Sequence, residues 1–325
     1  MLLRTDIFNI CPDVDLNLMQ PDQRLAVLTA KLFEALDQVL DNIRPDWILA
    51  QGDTTTVFVA AVMAYYHNIN FGHVEAGLRT NDKRRPFPEE INRRLADAAS
   101  DIYFAPTEGA RQALLNEGFP DASIHITGNT IVDALIDISQ RDFDWKASAL
   151  KDIPQNVRKV LITAHRRESF GKPFNELCQA IRELSVIFPD TCFIYPVHLN
   201  PNIRKPAGQI LSSLKNVHLI EPLDYLDLVH LMKQSSLILT DSGGIQEEAP
   251  TFGVPVLVMR DTTERPEGIK AGVAKLVGTR KHSIVEEAKS ILIQDFSNKS
   301  NDKIVNPYGD GQAAKRIVNI LCKNL

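Results

Sequence analysis

The chain has 325 residues, a formal net charge of −5 and 24% charged residues. A single hydrophobic core stops growing at about 250–300 residues, so this length predicts two domains. The acidic balance offers no basic surface for a polyanion, and we expect no nucleic-acid partner. No apolar segment reaches the ~20 residues that a membrane-spanning helix needs, so we expect no membrane partner.

The cysteine pattern indicates a reducing compartment. The four cysteines lie far apart in sequence and form no CxxC pair. Such spacing favours reduced thiols over a disulfide framework or a zinc site. The sequence also has no HExxH or DxD motif. We therefore expect a cytoplasmic protein without a bound metal.

Short aliphatic segments alternate with segments of helical periodicity, the pattern of β-α-β units around a parallel sheet. The chain opens with a long amphipathic segment that predicts a helix at 21–43. The first half then predicts strands at 47–51, 69–74, 102–105 and 123–127 and helices at 55–67, 90–100 and 108–117. The second half predicts strands at 159–163, 192–196, 217–220, 237–240 and 255–259 and helices at 174–187, 203–214, 225–234 and 244–252.

A linker is predicted between these halves. Residues 141–157 are polar, contain Pro154 and lack strong periodicity, which is typical of a hinge. We divide the chain into domains 1–145 and 146–325, with the C-terminal helix packing back on the first domain. The pattern predicts an α/β fold of two doubly wound, Rossmann-like domains. Ligands of such sheets bind at the carboxyl ends of the strands, so we expect a cleft between the domains.

The run TDSGGIQEEAP predicts a strand, a tight turn and a helix. Ser242, Gly243 and Gly244 would expose backbone N–H groups at the positive end of the helix dipole, which suits a diphosphate. The alternative is that the glycines only allow close packing. If a sugar nucleotide binds there, Glu247 or Glu248, one turn further on, can reach the ribose hydroxyls.

The run RDTTERPE offers fixed cations downstream of that turn. Arg260 and Arg265 could neutralise a pyrophosphate. The alternative for Arg265 is a surface ion pair with Glu264 or Glu267. Taken alone, the sequence around Arg265 favours the surface ion pair.

His165 lies just after the predicted strand at 159–163, in the run TAHRRESFG. Ligands bind at strand ends of this kind. With Arg166 and Arg167 beside it, His165 is a candidate donor to a leaving phosphate, and Arg166 is a candidate substrate ligand. The alternative is an ordinary structural histidine.

Three carboxylates stand at comparable places in the first half. Asp53 follows one predicted strand, Glu75 ends the next, and Glu89 opens a predicted helix. Carboxylates gathered on one side of a sheet suit acid/base chemistry, since mutual repulsion separates their pKa values. The alternatives are a helix N-cap for Asp53 and a first-turn dipole partner for Glu89. A carboxylate that ends an apolar strand, as Glu75 does, is costly unless it is paired or solvated.

These runs resemble the non-hydrolysing UDP-N-acetylglucosamine 2-epimerases. The matching runs, in the family's order over essentially the whole chain, are GDTTT, HVEAGLRT, PFPEEINRR, GNTIVDAL, HRRESFG, YPVHLNPN, TDSGGIQEEAP, VLVMRDTTERPE and NPYGDGQA. The resemblance implies the two-domain glycosyltransferase-B fold and interconversion of UDP-GlcNAc and UDP-ManNAc. It also implies a homodimer that needs no redox cofactor.

The resemblance further implies roles for individual residues. Acid/base roles fall to Asp53, Glu75 and Glu89, and a leaving-group role falls to His165. The implied substrate ligands are Arg93, Ser242, Gly243, Gly244, Glu248 and Arg265, with Glu248 as the ribose partner.

The chemistry explains why the family needs such residues. The sugar C2 proton has no adjacent carbonyl to acidify it, so simple deprotonation faces a very high barrier. In the family's route a carboxylate takes that proton as the C1–O bond breaks, which gives a 2-acetamidoglucal. UDP then adds back with protonation on the other face. Which carboxylate is the base and which the acid stays open.

The start of the chain departs from the family pattern. Family members open with a strand, a GTRPE-type turn, a helix and a second strand ending in a TGQH-type motif, whereas this chain begins at Met1-Leu-Leu-Arg. We expect the first domain to lack an opening β-α-β unit of ~30 or more residues. The substrate cleft and the regulatory UDP-GlcNAc site of bacterial members would then be incomplete. A catalytically defective UDP-binding remnant therefore stays as an alternative. A same-fold glycosyltransferase is another alternative, and it would not need the three carboxylates of the first half together.

Overall fold

The computed structural model describes residues 5–20, 22–166, 169–293 and 305–323. They form two compact units. We call Thr5–Asp133 with 308–323 the N-terminal unit, and Ala134–Pro307 the C-terminal unit. The division falls inside a helix, ahead of the predicted boundary after residue 145. Residues 141–157, the predicted hinge, pack within the C-terminal unit, where the buried indole of Trp145 donates to the carbonyl of Ile153 at 2.9 Å.

Strands and helices alternate along most of the described chain. The strands are β1 (Trp47–Gln51), β2 (Asn70–Val74), β3 (Ile102–Ala105), β4 (Ile124–Ile126), β5 (Arg158–Thr163), β6 (Thr191–Pro196), β7 (Val217–Ile220), β8 (Leu237–Thr240), β9 (Val256–Val258) and β10 (Ala274–Leu276). The α-helices are α1 (Leu25–Ile43), α2 (Thr55–Tyr66), α3 (Glu89–Ala98), α4 (Glu108–Asn116), α5 (Thr130–Gln140), α6 (Lys172–Ile187), α7 (Pro201–Leu211), α8 (Tyr225–Gln234), α9 (Gly243–Glu248), α10 (Pro266–Lys270), α11 (Lys281–Ile293) and α12 (Ala313–Leu321). None of the described helices has both the length and the apolarity that crossing a bilayer would take.

The N-terminal unit is built on a four-stranded parallel sheet with the order β1-β2-β3-β4. Helix α2 is buried on two sides, since α1 covers one side while β2 and α3 cover another. Both of these sides carry apolar residues. Helix α12 belongs to this unit, and its Ile317 packs against Val74, Ile102 and Phe104.

The described residues ahead of β1 form a short 3₁₀ turn and α1, and they contain no strand. Helix α1 begins at Leu25, later than predicted, and residue 21 lies outside the described residues. The absence of an opening β-α-β unit from the first domain stays a prediction.

The C-terminal unit contains a six-stranded parallel sheet with the order β10-β9-β8-β5-β6-β7. This is the strand order of dinucleotide-binding folds, in which the first strand of the unit lies beside the fourth. Strands β5 and β8 are fully buried along most of their length because helices cover both faces of the sheet. The chain leaves β5 and β8 toward opposite halves of the sheet, which opens a crevice at their carboxyl ends. The predicted α/β class of two Rossmann-like domains is confirmed.

Gly77 gives a direct test of the packing behind the N-terminal sheet. It adopts φ +87°, and a methyl group there would overlap the carbonyl oxygen of Ala110. We expect Gly77→Ala to lower the free energy of unfolding by about 3–5 kcal/mol, from the left-handed conformation and the overlap together. Gly118→Ala is the matched control, since Gly118 has φ +89° with nothing within 4 Å of an added methyl. Urea unfolding should show a loss of only about 1–2 kcal/mol for it, and equal losses would contradict the packing argument.

Candidate active site

The N-terminal unit brings Asp53 into contact with Arg93. Asp53 follows β1, and its carboxylate accepts a hydrogen bond from Arg93 Nη2 at 2.7 Å. The backbone carbonyl of Asp53 accepts from the Asn92 side chain at 3.0 Å. The N-cap of α2 is Thr54, whose hydroxyl accepts from the Val57 N–H. The N-cap alternative for Asp53 was therefore wrong.

Helix α3 carries polar atoms that have no hydrogen-bond partner within the described chain. Arg93 is 3% exposed, and its Nε and Nη1 make no hydrogen bond, although Nη1 lies 3.6 Å from Glu90. Glu89 stands one turn earlier, in the first turn of the helix, and its buried Oε2 is likewise unbonded. Buried polar atoms are rarely left unsatisfied in proteins. These atoms are therefore candidate contacts for a polar ligand.

Glu75 directly follows β2 in a left-handed conformation with φ +66°, which is uncommon for a residue other than glycine. Its N–H donates to the carbonyl of Phe104 at 3.0 Å. Its carboxylate lies beside the β1–α2 turn, since a methyl group on Gly52 would stand 3.5 Å from Glu75 Oε2. Backbone strain of this kind is common at functional sites.

A buried charge network lies under these carboxylates. His73 is fully buried in β2, with Nδ1 at 2.5 Å from Asp97 and Nε2 at 2.8 Å from the carbonyl of Gly52. A carbonyl and a carboxylate can only accept, so both ring nitrogens carry hydrogen and His73 is an imidazolium. The other Asp97 oxygen accepts from Arg79, which also binds Glu117. Burial would lower the pKa of His73, but Asp97 and the Gly52 carbonyl outweigh it and raise that pKa.

Sequence reasoning missed this network. His73 was interpreted only as part of an apolar strand, and Asp97 lies 24 residues away. The network fixes Gly52, the residue before Asp53, against the helix that bears Glu89.

The crevice of the C-terminal unit carries His165 and Asp241 at the ends of β5 and β8. The hydroxyls of Thr163 and Thr240 are hydrogen bonded at 2.6 Å across the two strands. One Asp241 oxygen accepts from the backbone N–H groups of His165 and Arg166, each at 2.9 Å. The chain after β5 is thus fastened to the chain after β8. The remainder of the HRRESFG run includes residues 167 and 168, which lie outside the described residues.

The two glycines of the turn, Gly243 and Gly244, have different surroundings. Ser242 is the N-cap residue of α9, and a 3₁₀ turn continues the helix as far as Phe252. A methyl group on Gly243 would come within 2.6 Å of the Arg265 guanidinium, so any other residue there would displace the guanidinium from this position. Gly244 has nothing within 4 Å of an added methyl. Gly243 therefore serves close packing, while Gly244 borders open space.

Two buried glutamates bind three arginines, of which Arg265 lies beside Gly243. Arg265 donates to Glu247 at 2.6 Å and to Glu264 at 2.5 Å. Arg260 donates to Glu264 at 3.0 Å, and Arg166 lies 3.9 Å from the same carboxylate. Burial alone would raise the pKa of Glu264, but the charges of Arg265 and Arg260 outweigh it and lower that pKa to about 2. We call these five residues the arginine cluster.

The arginine cluster corrects one alternative for Arg265. The ion pair between Arg265 and Glu264 exists, but it is buried rather than on the surface, since Glu264 is 5% exposed. An anion at Gly243 would meet the Arg265 guanidinium, which Glu247 and Glu264 hold in place.

Glu248 lies buried beside Tyr225, whose hydroxyl donates to it at 3.1 Å. Burial raises the pKa of Glu248 to about 7. Glu247 is neutralised by Arg265, and Glu248 is partly protonated near neutral pH. The two glutamates therefore put little net negative charge on the helix that was predicted to bind an anion.

Both units are built on parallel sheets, and the C-terminal unit has the strand order of dinucleotide-binding folds, with arginines at its crevice. These features define a two-domain enzyme of the glycosyltransferase-B class. The family described as UDP-N-acetylglucosamine 2-epimerase matches residues 2–322. The chain belongs to this family.

Known relatives agree with that assignment over nearly the whole chain. The chain is 48% identical to UDP-N-acetylglucosamine 2-epimerase of Escherichia coli K12, over 98% of this chain and 86% of that protein. It is similar to the crystal structure of UDP-GlcNAc 2-epimerase from Neisseria meningitidis bound to UDP-GlcNAc, with a TM-score of 0.90, 45% identity, and coverage of 98% and 87% of the two chains. The Methanocaldococcus jannaschii enzyme in complex with UDP-GlcNAc and UDP gives a TM-score of 0.83 at 35% identity, with coverage of 98% and 86%.

The buried imidazolium predicts a pH dependence of stability. Because the folded pKa of His73 is raised above its ordinary 6.5, its contribution is fully present below pH 6.5 and is lost as pH rises through the folded pKa. The difference in free energy of unfolding between the wild type and His73→Gln should be largest near pH 6. It should fall by about 1.4 kcal/mol for each pH unit within that window.

A histidine with the opposite behaviour serves as control. Burial lowers the pKa of His125, so its contribution rises with pH below 6.5 and is constant above it. Urea unfolding of His125→Gln across the same pH range should therefore show the reverse trend. A difference between wild type and His73→Gln that does not change with pH would mean that His73 is neutral in the folded protein.

Proposed function

We propose that this chain interconverts UDP-GlcNAc and UDP-ManNAc by eliminating UDP and adding it back, through a 2-acetamidoglucal intermediate. The chain belongs to a family whose relatives carry this activity in their names. The observation that carries the proposal is the arginine cluster at Gly243, at the crevice end of β5 and β8. A diphosphate seated there would be stabilised as it departs by aligned N–H groups and fixed cations.

The C-terminal unit would hold the nucleotide. In this proposal the diphosphate lies over the amides of Ser242, Gly243 and Gly244, next to Arg265, with Arg166 close by. The Arg265 guanidinium, held beside Gly243 by Glu247 and Glu264, supports this placement. Glu248 would accept the ribose hydroxyls, and its buried position beside Tyr225 supplies a fixed acceptor.

The N-terminal unit would supply the acid/base groups. Asp53, Glu75 and Glu89 would transfer the C2 proton, and Arg93 would bind substrate. The unbonded atoms of Arg93 and Glu89 support this assignment, because a ligand could satisfy them. The choice of base and acid among the three carboxylates stays open.

Deuterium exchange tests the proposed function and separates it from its alternatives. With UDP-GlcNAc in D₂O, proton NMR should show deuterium at C2 together with formation of UDP-ManNAc. Transfer of the sugar to an acceptor would instead indicate a glycosyltransferase of the same fold. UDP binding without any exchange would indicate a catalytically defective protein and would contradict the proposal.

The three carboxylates predict a loss of turnover in the same assay. Glu89→Gln should reduce kcat by about 10²- to 10⁴-fold, the usual contribution of positioned acid/base groups, and Asp53→Asn and Glu75→Gln should behave alike. Glu108→Gln is the matched control, since Glu108 opens α4 in the same unit as Glu89 opens α3. If Glu89 were only a dipole partner, both glutamine variants would retain near wild-type turnover.

We also infer that the enzyme is a homodimer. Helices α2 and α3 pack together in the N-terminal unit and leave large apolar side chains exposed, among them Tyr65 at 75%, Tyr66 at 69% and Leu95 at 44%. Exposed aromatic groups of this kind are enriched at protein interfaces. A second copy of the chain is the partner that the family resemblance implies.

A cytoplasmic location is part of the same proposal. Cys178 and Cys192 are buried free thiols, and burial raises the pKa of each. Protonated, buried thiols are inert and suit a reducing compartment.

A further inference from the structure

The two carboxylate oxygens of Asp241 have different surroundings in the C-terminal unit. It is fully buried directly after β8, and its own N–H donates to the carbonyl of Thr163 at 3.0 Å. Its Oδ2 accepts both backbone N–H groups of the His165–Arg166 segment. That oxygen alone is sufficient to fasten the end of β5 to the end of β8.

The second oxygen of Asp241 faces the imidazole of His165. Asp241 Oδ1 is buried, makes no hydrogen bond within the described chain, and lies 3.7 Å from His165 Nδ1. A buried carboxylate oxygen without a partner is costly. A small rotation of the histidine would bring Nδ1–H within hydrogen-bond distance. The pair is thus poised to close.

A second histidine holds the ring of His165 from its face. His198, after β6, stacks on His165 with ring centroids 5.7 Å apart and an angle of 14° between the planes. The Nδ1 of His198 accepts from the Asn200 N–H at 3.1 Å, which fixes the orientation of that ring. The stack restricts tilting of His165, while 44% of the His165 side chain stays exposed at the crevice.

The surroundings of the pair favour a neutral imidazole until an anion arrives. Burial lowers the pKa of His165 and outweighs the charge of Asp241, which raises that pKa. The charges of Arg166 and His198 lower it further. Burial raises the pKa of Asp241, and this effect outweighs the hydrogen bonds from the Arg166 and His165 backbone, which lower that pKa. A diphosphate beside the ring would add negative charge and favour the imidazolium.

We propose that Asp241 is a positioning residue that accepts a hydrogen bond from His165 Nδ1–H, so that His165 Nε2 donates to the β-phosphate oxygen of departing UDP. This inference rests on the proposed function and adds the group that controls the proton on His165. The carboxylate would select the Nδ1–H tautomer and stabilise the imidazolium.

The proton and electrons balance in this step. The C1–O bond breaks, and its electron pair stays on the β-phosphate oxygen. A carboxylate of the N-terminal unit takes the C2 proton as the C1–C2 double bond forms. The imidazolium of His165 gives its Nε2 proton to the phosphate oxygen and becomes neutral with hydrogen on Nδ1. Re-addition of UDP returns that proton, and Asp241 stays ionised throughout.

Asp241→Asn separates this role from the structural one. Its amide oxygen can still accept both backbone N–H groups, but the amide NH₂ would face Nδ1 and hold the opposite tautomer. We expect kcat to fall by about 10²- to 10⁴-fold with little change in KM for UDP-GlcNAc. Asp227→Asn is the matched control, because Asp227 is 6% exposed and accepts a backbone N–H from Ala149 at 3.1 Å. It should turn over like the wild type.

A double variant shows whether Asp241 acts through His165. In a His165→Gln background, Asp241→Asn should cause no further loss of kcat. Losses that multiply in the double variant would overturn the inference, as would an Asp241→Asn enzyme as active as the wild type.

Nitrogen-15 NMR of histidine-labelled protein reads the tautomer without turnover. In the UDP complex, the histidine signal that His165→Gln removes should show hydrogen on Nδ1, and in Asp241→Asn it should show hydrogen on Nε2 alone. An unprotonated Nδ1 in the wild-type UDP complex would overturn the inference. Because this reading needs no epimerisation, its failure is distinguishable from failure of the proposed function.

Discussion

The C-terminal unit depends on the side-by-side placement of β5 and β8. Their hydroxyls at Thr163 and Thr240 are hydrogen bonded, and the Asp241 carboxylate gathers the backbone beyond β5. Because the sheet continues in opposite directions from these two strands, helices cannot cover the space above their ends. The fold therefore leaves a crevice above these two strand ends, and the same carboxylate that fastens the backbone brings His165 to its rim.

Buried charges in both units are compensated locally rather than by solvent. Asp97 balances the imidazolium of His73 under the N-terminal carboxylates, and Glu247 and Glu264 hold Arg265 against Gly243. Removing one member of such a pair leaves an uncompensated buried charge, so each network favours its paired geometry. The pairs position the charged groups before a substrate arrives, which is what electrostatic stabilisation of a departing anion requires.

The sequence predicted the elements with strong periodicity but not those that are defined by tertiary contacts. The predicted bounds of β1, β3, β7 and β8 match the structure, because aliphatic runs bounded by polar turns leave little ambiguity. Strand β10 has only three residues and is recognisable only from its pairing with β9, and α11 was likewise not predicted. The partner of His165 is 76 residues away in sequence, so no local pattern could reveal it. The strand, turn and helix around Ser242 were predicted from sequence, but the burial of Arg265 was not.

The proposed function requires the diphosphate of a sugar nucleotide to lie at the glycine turn of the C-terminal unit, against the arginine cluster. A crystal structure of this chain grown with UDP measures that position directly. Phosphate oxygens should lie within about 3 Å of the Gly243 or Gly244 amide and of a nitrogen of the Arg265 guanidinium. A diphosphate that contacts neither the turn nor Arg265 would contradict the proposed function.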